Sequence, residues 1–350
     1  MAEGKLQLNC KVTGVGSLPP MSLDDALAWV REYTPELPYI PQLPLFTPGS
    51  GMLHELFETP EQFFETNGAG LSYGIIPGQM GNLLDLMADE GRIKPRRLVA
   101  EFATRFSLSS KYSPFLALKN QMVGPVALLL GLTVNNRPLV EVPGALAIVG
   151  NYLSWKITKE NHLLEKFTCP KIWILDEPIV PNLGKLEKKE TYPALIVQIR
   201  EVCQSIKKLR AIPGIHCCGS LRYGVPFLKD IGDAAEIWSV PILEFVRNRL
   251  QGSDEGTRDI SLLNAERIMK GKLFSGGYLL AGTVSTEESG IEIKREEVIH
   301  TINDLFAKEE KCVLNRLAVT GACGLGTLSI DKARTVVKET ISISNALKLN

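Results

Sequence analysis

The sequence has little of what marks a nucleic-acid-binding, membrane or disulfide-framed protein. Charge of neither sign is in excess: Lys plus Arg and Asp plus Glu both number 39. A balanced chain has no long-range field to draw in nucleic acid or an anionic membrane surface, so neither partner is expected. No uninterrupted apolar run approaches the roughly 20 residues that span a bilayer, and the opening MAEGKLQLNCKVTG contains no apolar signal core. The expectation is a cytoplasmic location. Histidines number only four, and the cysteines are seven, an odd count scattered from Cys10 through Cys169, Cys203, Cys217, Cys218 and Cys312 to Cys323. Such scatter suits reduced thiols or metal ligands better than a disulfide framework.

What is present is an ordinary globular composition, with 45% hydrophobic and 22% charged residues over 350 positions. Short β-rich runs alternate with longer amphipathic stretches along the whole chain. The runs are 11–19, 39–46, 116–124, 171–178, 214–218, 235–241, 272–279 and 313–322. The stretches include 22–32, 94–110, 145–166, 192–209, 261–270, 294–309 and 329–346, and Ser22 and Ser329 are placed to cap the first and last. Eight strands separated by helices predict a (β/α)8 TIM barrel, a single catalytic domain over residues 1–350, with a doubly wound open sheet plus a small domain as the alternative. The Gly-rich segment 47–93 is the least regular part, and is read as an insertion of loop and short helix over one barrel mouth, either a lid or plain structure.

The stretch GIHCC, 214–218, closes the fifth run. Side chains two apart on a strand share a face, so His216 and Cys218 project together while Cys217 turns away. Barrel chemistry sits at the C-terminal strand ends, which is where this pair falls. Cys323, just past the eighth run in VTGACGLGTL, should reach the same mouth. One histidine and two cysteines are three ligands of a tetrahedral zinc site. A Cys–His nucleophilic pair and inert packing are the other readings of the same residues, although neighbours on one strand face are better placed to chelate an ion than to act as nucleophile and base. For Cys10, Cys169, Cys203 and Cys312 packing is the expectation.

Two further features lie at strand ends. In WILDEP the apolar fourth run gives way to Asp176 and Glu177. A buried acid needs a partner, and Asp176, which continues the strand, is the better candidate for a ligand contact, with a helix cap as the alternative. In GVGSLP, Gly16 permits a close backbone approach and Ser17 offers a hydroxyl to an anion, unless the pair simply makes a turn.

Five pieces, TGVGSLP (13–19), KNQMVGPVAL (119–128), ILDEP (174–178), HCC (216–218) and ACGLGTL (322–328), occur in one order. Together they resemble the C-terminal catalytic barrel of cobalamin-independent methionine synthase, in the superfamily shared with uroporphyrinogen decarboxylase and corrinoid-dependent zinc methyltransferases. The resemblance runs from residue 13 to 328. It implies Zn2+ held by His216, Cys218 and Cys323. Ser17 is implied to bind the carboxylate of an amino-acid substrate and Asp176 its ammonium, which makes Asp176 and His216 the candidate catalytic residues. The family's second acid for the amine falls near GMLHELFE, where His54 or Glu55 has to stand in. Where that family places an acidic zinc ligand, about twenty residues after the H-x-C pair, this chain reads IWSVPILEF, with Val240 and Pro241. Glu236 and Glu244 are then the candidates for a fourth protein ligand.

The implied activity is methyl transfer to a small thiol, homocysteine to methionine. The span of a single barrel resembles the stand-alone members, which implies as donor a methylcobalamin, a corrinoid protein or a folate. Another corrinoid-linked thiol methyltransferase and a non-catalytic homologue are the alternatives. A porphyrinogen decarboxylase is disfavoured, because a substrate with many carboxylates needs clustered arginines and Arg31 is the sole arginine before residue 92.

Overall fold

The structure is a computed structural model that describes residues 6–43, 55–57, 60–65, 73–107, 115–178, 180, 183, 190–251, 259–287, 293–307 and 311–349. Its centre is a curled parallel sheet of six strands: β1 Leu118–Val123, β2 Lys171–Asp176, β3 Ile212–His216, β4 Ile237–Pro241, β5 Tyr278–Val284 and β6 Leu317–Gly321. They neighbour one another in chain order, all parallel, with helices between them. This is a TIM-barrel-like α/β arrangement, and the expectation of eight ladder strands needs correcting.

The first two predicted runs do not join the ladder. Each lies extended and is held by single bridges, Val12 to Val319, Ser17 to Gln42 and Tyr39 to Lys119. Two backbone hydrogen bonds flank each bridge, as in Thr13 N to Val319 O and Val319 N to Lys11 O. The sequence explains the break. Pro41 in YIPQLP has no N–H to donate, and proline in a strand interior interrupts a ladder. The seventh run is also shifted: 272–274 complete the helix Ile260–Phe274, Gly276 in the left-handed region at φ 103° turns the chain, and the strand starts at Tyr278.

The helices follow their amphipathic patterns closely. Leu23–Tyr33 is capped by Ser22, whose hydroxyl accepts from Asp25 N at 3.1 Å, and Ser329 accepts from Lys332 N at 3.3 Å ahead of Ile330–Leu349. Within the insertion, residues 47–54, 58, 59 and 66–72 lie outside the described ones, and with them most of the lid expectation. The described remainder is packed structure. Phe57 stacks on Tyr152 with centroids 5.5 Å apart, Tyr152 Oη donates to Leu56 O, and the helix Met80–Ala88 supplies buried Leu83 and Met87. None of the helices among the described residues is long and apolar enough to cross a membrane.

The core has two layers. A small apolar group inside the sheet includes Leu8, Leu37, Ala117, Ile172, Ile174, Ile237, Leu280 and Ala318. A much larger one lies between sheet and helices and takes in Cys203 and Cys217, both buried. Following each strand toward its C-terminal end, the inward positions change from apolar to polar, as in Ile172, Ile174, Asp176 on β2 and Ile237, Ser239 on β4. Strand alternation thus delivers polar groups to one mouth of an otherwise apolar interior.

Candidate metal centre and its surroundings

Register assembles the site. Asp176 on β2 aligns with His216 on β3, and His216 with Ser239 on β4. His216 ends its strand, Cys218 follows two residues later, and Cys323 comes from the loop after β6. One ligand atom from each of His216, Cys218 and Cys323 lies within 4.8 Å of the others. Cys217 turns outward into the helix-facing layer, where a Cβ on Gly224 would lie 3.3 Å from its own. Cys10 is likewise buried in packing and Cys169 half-buried, while the side chain of Cys312 lies outside the described ones.

Three observations bear on whether this group fits a metal. His216 is buried, yet its Nε2 has no hydrogen-bond partner, while Nδ1 sits 2.9 Å from Ser239 Oγ. An orphaned buried ring nitrogen is costly unless it has a ligand to make. With Nε2 ligating, Nδ1 keeps the proton and donates to Ser239, the outer partner that fixes the ring. The two cysteines also behave as a pair. The Cys218 thiol donates to Cys323, whose pKa falls to about 4, and Cys218 rises by the same hydrogen bond and by burial. The hydrogen bond thus favours the thiolate on Cys323, the form that binds metal. The donor set, one imidazole and two thiols, fits zinc.

The proposed fourth ligands fare differently. Glu236 is at the wrong end of its strand: its backbone N–H donates to Pro213 O ahead of β4 and its carboxylate lies 3.5 Å from Lys207 Nζ. Glu244 borders the same cavity as Cys218 and Cys323, but its Oε2 accepts from Leu221 N at 2.8 Å and Ser220 Oγ at 3.2 Å, capping the helix Leu221–Ile231. It is not in the three-residue group. Val240 points outward into the core, and Pro241 takes the inward place beside the cysteines.

On the other side of His216 the polar residues form a connected network. Asp176 is buried; its Oδ2 accepts from Gln121 Nε2 at 3.0 Å and its Oδ1 has no partner. Burial raises its pKa to about 6, against the pull of nearby His216 and Lys119. Lys119, also buried, donates to Gln121 Oε1 and to Val15 O, and burial lowers it to about 7. Gln121 Nε2 further donates to Gln42 Oε1 at 2.8 Å. Gln42 in turn hydrogen-bonds Glu55, which burial pushes up to about 7 although Arg96 lies 3.7 Å away. Arg96 is held from below by Glu160 at 2.8 Å and donates to Asn120 Oδ1 and Gln121 O. Asp176 and Glu55 thus belong to one network; His54 lies outside the described residues.

Ser17 stands at the edge of this mouth. Its Oγ accepts from Gly326 N at 3.2 Å, and a Cβ at Gly324 would come within 2.0 Å of it, so the glycine-rich loop after β6 packs directly on the first segment. Gly16 is just as confined: a Cβ there would meet Gln121 at 2.2 Å. Glu177 takes the cap role left open for the WILDEP acids, since both its oxygens accept from Val126 N and Ala127 N at the start of the helix Pro125–Gly131.

Sequence reasoning missed Lys119, Gln121, Gln42, Arg96 and Ser239 as parts of the mouth. A signal existed for the first two: Lys119, Asn120 and Gln121 are three consecutive polar residues in a strand whose six positions are all buried.

Comparison with protein-family models and with curated proteins gives no match. Among solved structures, the chain is similar to a B12-independent methionine synthase from Shewanella sp. W3-18-1 in complex with selenomethionine, at TM-score 0.60 and 13% identity, covering 99% of this chain and 98% of that one. The likeness spans the whole fold, and at that identity it speaks to the fold alone. A D-psicose 3-epimerase from Clostridium cellulolyticum H10 aligns over 72% of this chain at TM-score 0.39 and 11% identity, too low to bear on the site.

Proposed function

We propose that the protein is a zinc-dependent methyltransferase that methylates a small amino-acid thiol, homocysteine to methionine. The observation that carries this reading is the meeting of His216, Cys218 and Cys323 within 4.8 Å, beside a buried carboxylate, Asp176, with one free oxygen. When bound by these three side chains, zinc would supply a Lewis acid that lowers the pKa of a thiol, so that sulfur is available as thiolate at neutral pH.

The chain's own residues do the rest. Asp176 and Glu55 offer two acids, joined through Gln121 and Gln42, to a substrate ammonium. Arriving positive charge stabilises both carboxylates against the burial that raises their pKa values. Ser17 offers its hydroxyl to the substrate carboxylate. A substrate held at both ends presents its sulfur to the donor, and orientation of this kind lowers the barrier without covalent chemistry by the protein. In the transfer the S–CH3 bond forms as the methyl–donor bond breaks, with the electron pair leaving on the donor. The donor is a methylated corrinoid, free or protein-borne, or a methylated folate.

One feature favours a second reading, a metal-holding barrel without methyl transfer: Val240 and Pro241 stand where the resemblance implies an acid. The test is methionine formation from homocysteine by purified protein, with methylcobalamin and with methyltetrahydrofolate in turn. Turnover that is abolished by Asp176→Asn supports methyl transfer. Zinc bound at full occupancy with turnover from neither donor supports the second reading.

A further inference from the structure

A cavity of about 220 Å3 borders Cys218 and Cys323 on the side formed by the ends of β4 and β5. Neither Asp176, Ser17 nor Glu55 lines it, so it is separate from the place proposed for the amino acid. Its wall includes Arg247, on the helix Leu243–Gln251, with Ser285 and Thr286 from the loop after β5.

Arg247 is the unusual member. Among the described residues it makes no hydrogen bond or ion pair, and its Nε is buried without a partner. Two positions along the same helix, Arg249 also has a partnerless Nε, but its terminal nitrogens are paired, with Glu266 at 2.8 Å and Asp304 at 3.3 Å. A guanidinium left partly desolvated and unpaired is unfavourable unless something in its environment accepts from it. Among the described residues, the two acids that line the cavity do not: Glu244 is turned to Leu221 N and Ser220 Oγ, and Glu287 is exposed at the rim. Ser285 Oγ accepts from Glu287 N and keeps its own proton to donate. A fork of N–H donors with a hydroxyl beside it, in a confined space, is the chemistry that grips a carboxylate or a phosphate.

We propose that this cavity is a second binding site, for an oxyanionic group anchored by Arg247, on the far side of the cysteine pair from Asp176. Its role as the seat of an anionic group of the methyl donor rests on the methyltransferase reading; the anion site itself does not.

The experiment is calorimetric titration of the protein as purified, with inorganic phosphate in one arm and glutarate in the other, which distinguishes a phosphate-bearing from a carboxylate-bearing ligand. Saturable binding of at least one anion is expected, weakened about tenfold or more in Arg247→Gln and unchanged in Arg222→Gln, a control on the outer face of the helix Leu221–Ile231. Zinc content and Tm of Arg247→Gln should match the wild type. If that variant does not fold, Arg247→Lys carries the comparison, with weakening of about threefold or more upholding the site and wild-type affinity overturning it. Absence of saturable binding to either anion, or wild-type affinity in Arg247→Gln, overturns the proposal. Anion binding without methionine formation would count against the methyltransferase reading alone, and methionine formation without an anion site against this proposal alone.

Discussion

Glu55 shows how burial sets chemistry at a single side chain. Its carboxyl is pushed from an ordinary 4.5 up to about 7 by desolvation, with Arg96 and Gln42 opposing the rise. The folded protein therefore holds this proton more tightly than the unfolded chain. The resulting stabilisation is complete below about pH 4.5 and is lost as pH rises through about 7. On the proposed function, binding of a substrate ammonium would run the other way, because it needs the carboxylate. The KM for homocysteine should rise as pH falls below about 7, approaching roughly tenfold per pH unit. Glu55→Gln should raise KM at neutral pH and flatten that profile, as steady-state kinetics from pH 5.5 to 8.5 would show; an unaltered profile would remove Glu55 from the site. Gln121 is the complementary case. Its amide is oriented by Lys119 on the oxygen side and by Asp176 and Gln42 on the nitrogen side, a network with no slack for a flipped amide.

The strands and helices place these residues, and here the link from sequence to structure was uneven. The helix patterns were legible because each keeps one apolar face against the sheet; Ala145–Leu164 and Thr191–Lys208 start and stop within two residues of the predicted 145–166 and 192–209. The helix Leu221–Ile231 has no counterpart among the predicted stretches: Gly224 and Pro226 are poor helix formers within it, although Val225, Phe227 and Leu228 are buried. Alternation on GIHCC correctly separated Cys217 from its neighbours, because period two is a local property of one strand. The network beneath the mouth is not local: Gln42 meets Gln121 across 79 positions and Arg96 meets Glu160 across 64. No periodicity reports such pairs. Arg96 and Glu160 tie the helix Ala145–Leu164 to β1, and both are buried, so removing Glu160 takes away the close partner of Arg96 and leaves it only the more distant Glu55 at 3.7 Å. Glu160→Ala should cost about 3–5 kcal/mol, read from urea unfolding, whereas the paired Arg96→Met, Glu160→Met replacement should cost less than the single change. A single change that costs under about 1 kcal/mol would show the pair to be ornamental to stability.

For the molecule as a whole, the architecture explains why so few residues suffice for a site. A curled parallel sheet gathers the ends of β1 to β6 and of the two bridged segments around one mouth, so residues from 17 to 323 converge there. The sheet is a six-stranded ladder rather than an eight-stranded one, with Pro41 interrupting the second segment; Gly16 leaves room for Gln121, and Gly324 lets the last loop come close to Ser17. The central claim is that this mouth holds a metal on His216, Cys218 and Cys323. Elemental analysis of the purified protein, beside the Cys218→Ser, Cys323→Ser double variant, tests it most directly. The account predicts about one zinc per wild-type chain and almost none in the variant, whose Tm should fall when compared with zinc-loaded protein. A wild-type protein that is metal-free yet fully active, or a double variant that keeps its zinc, would contradict it.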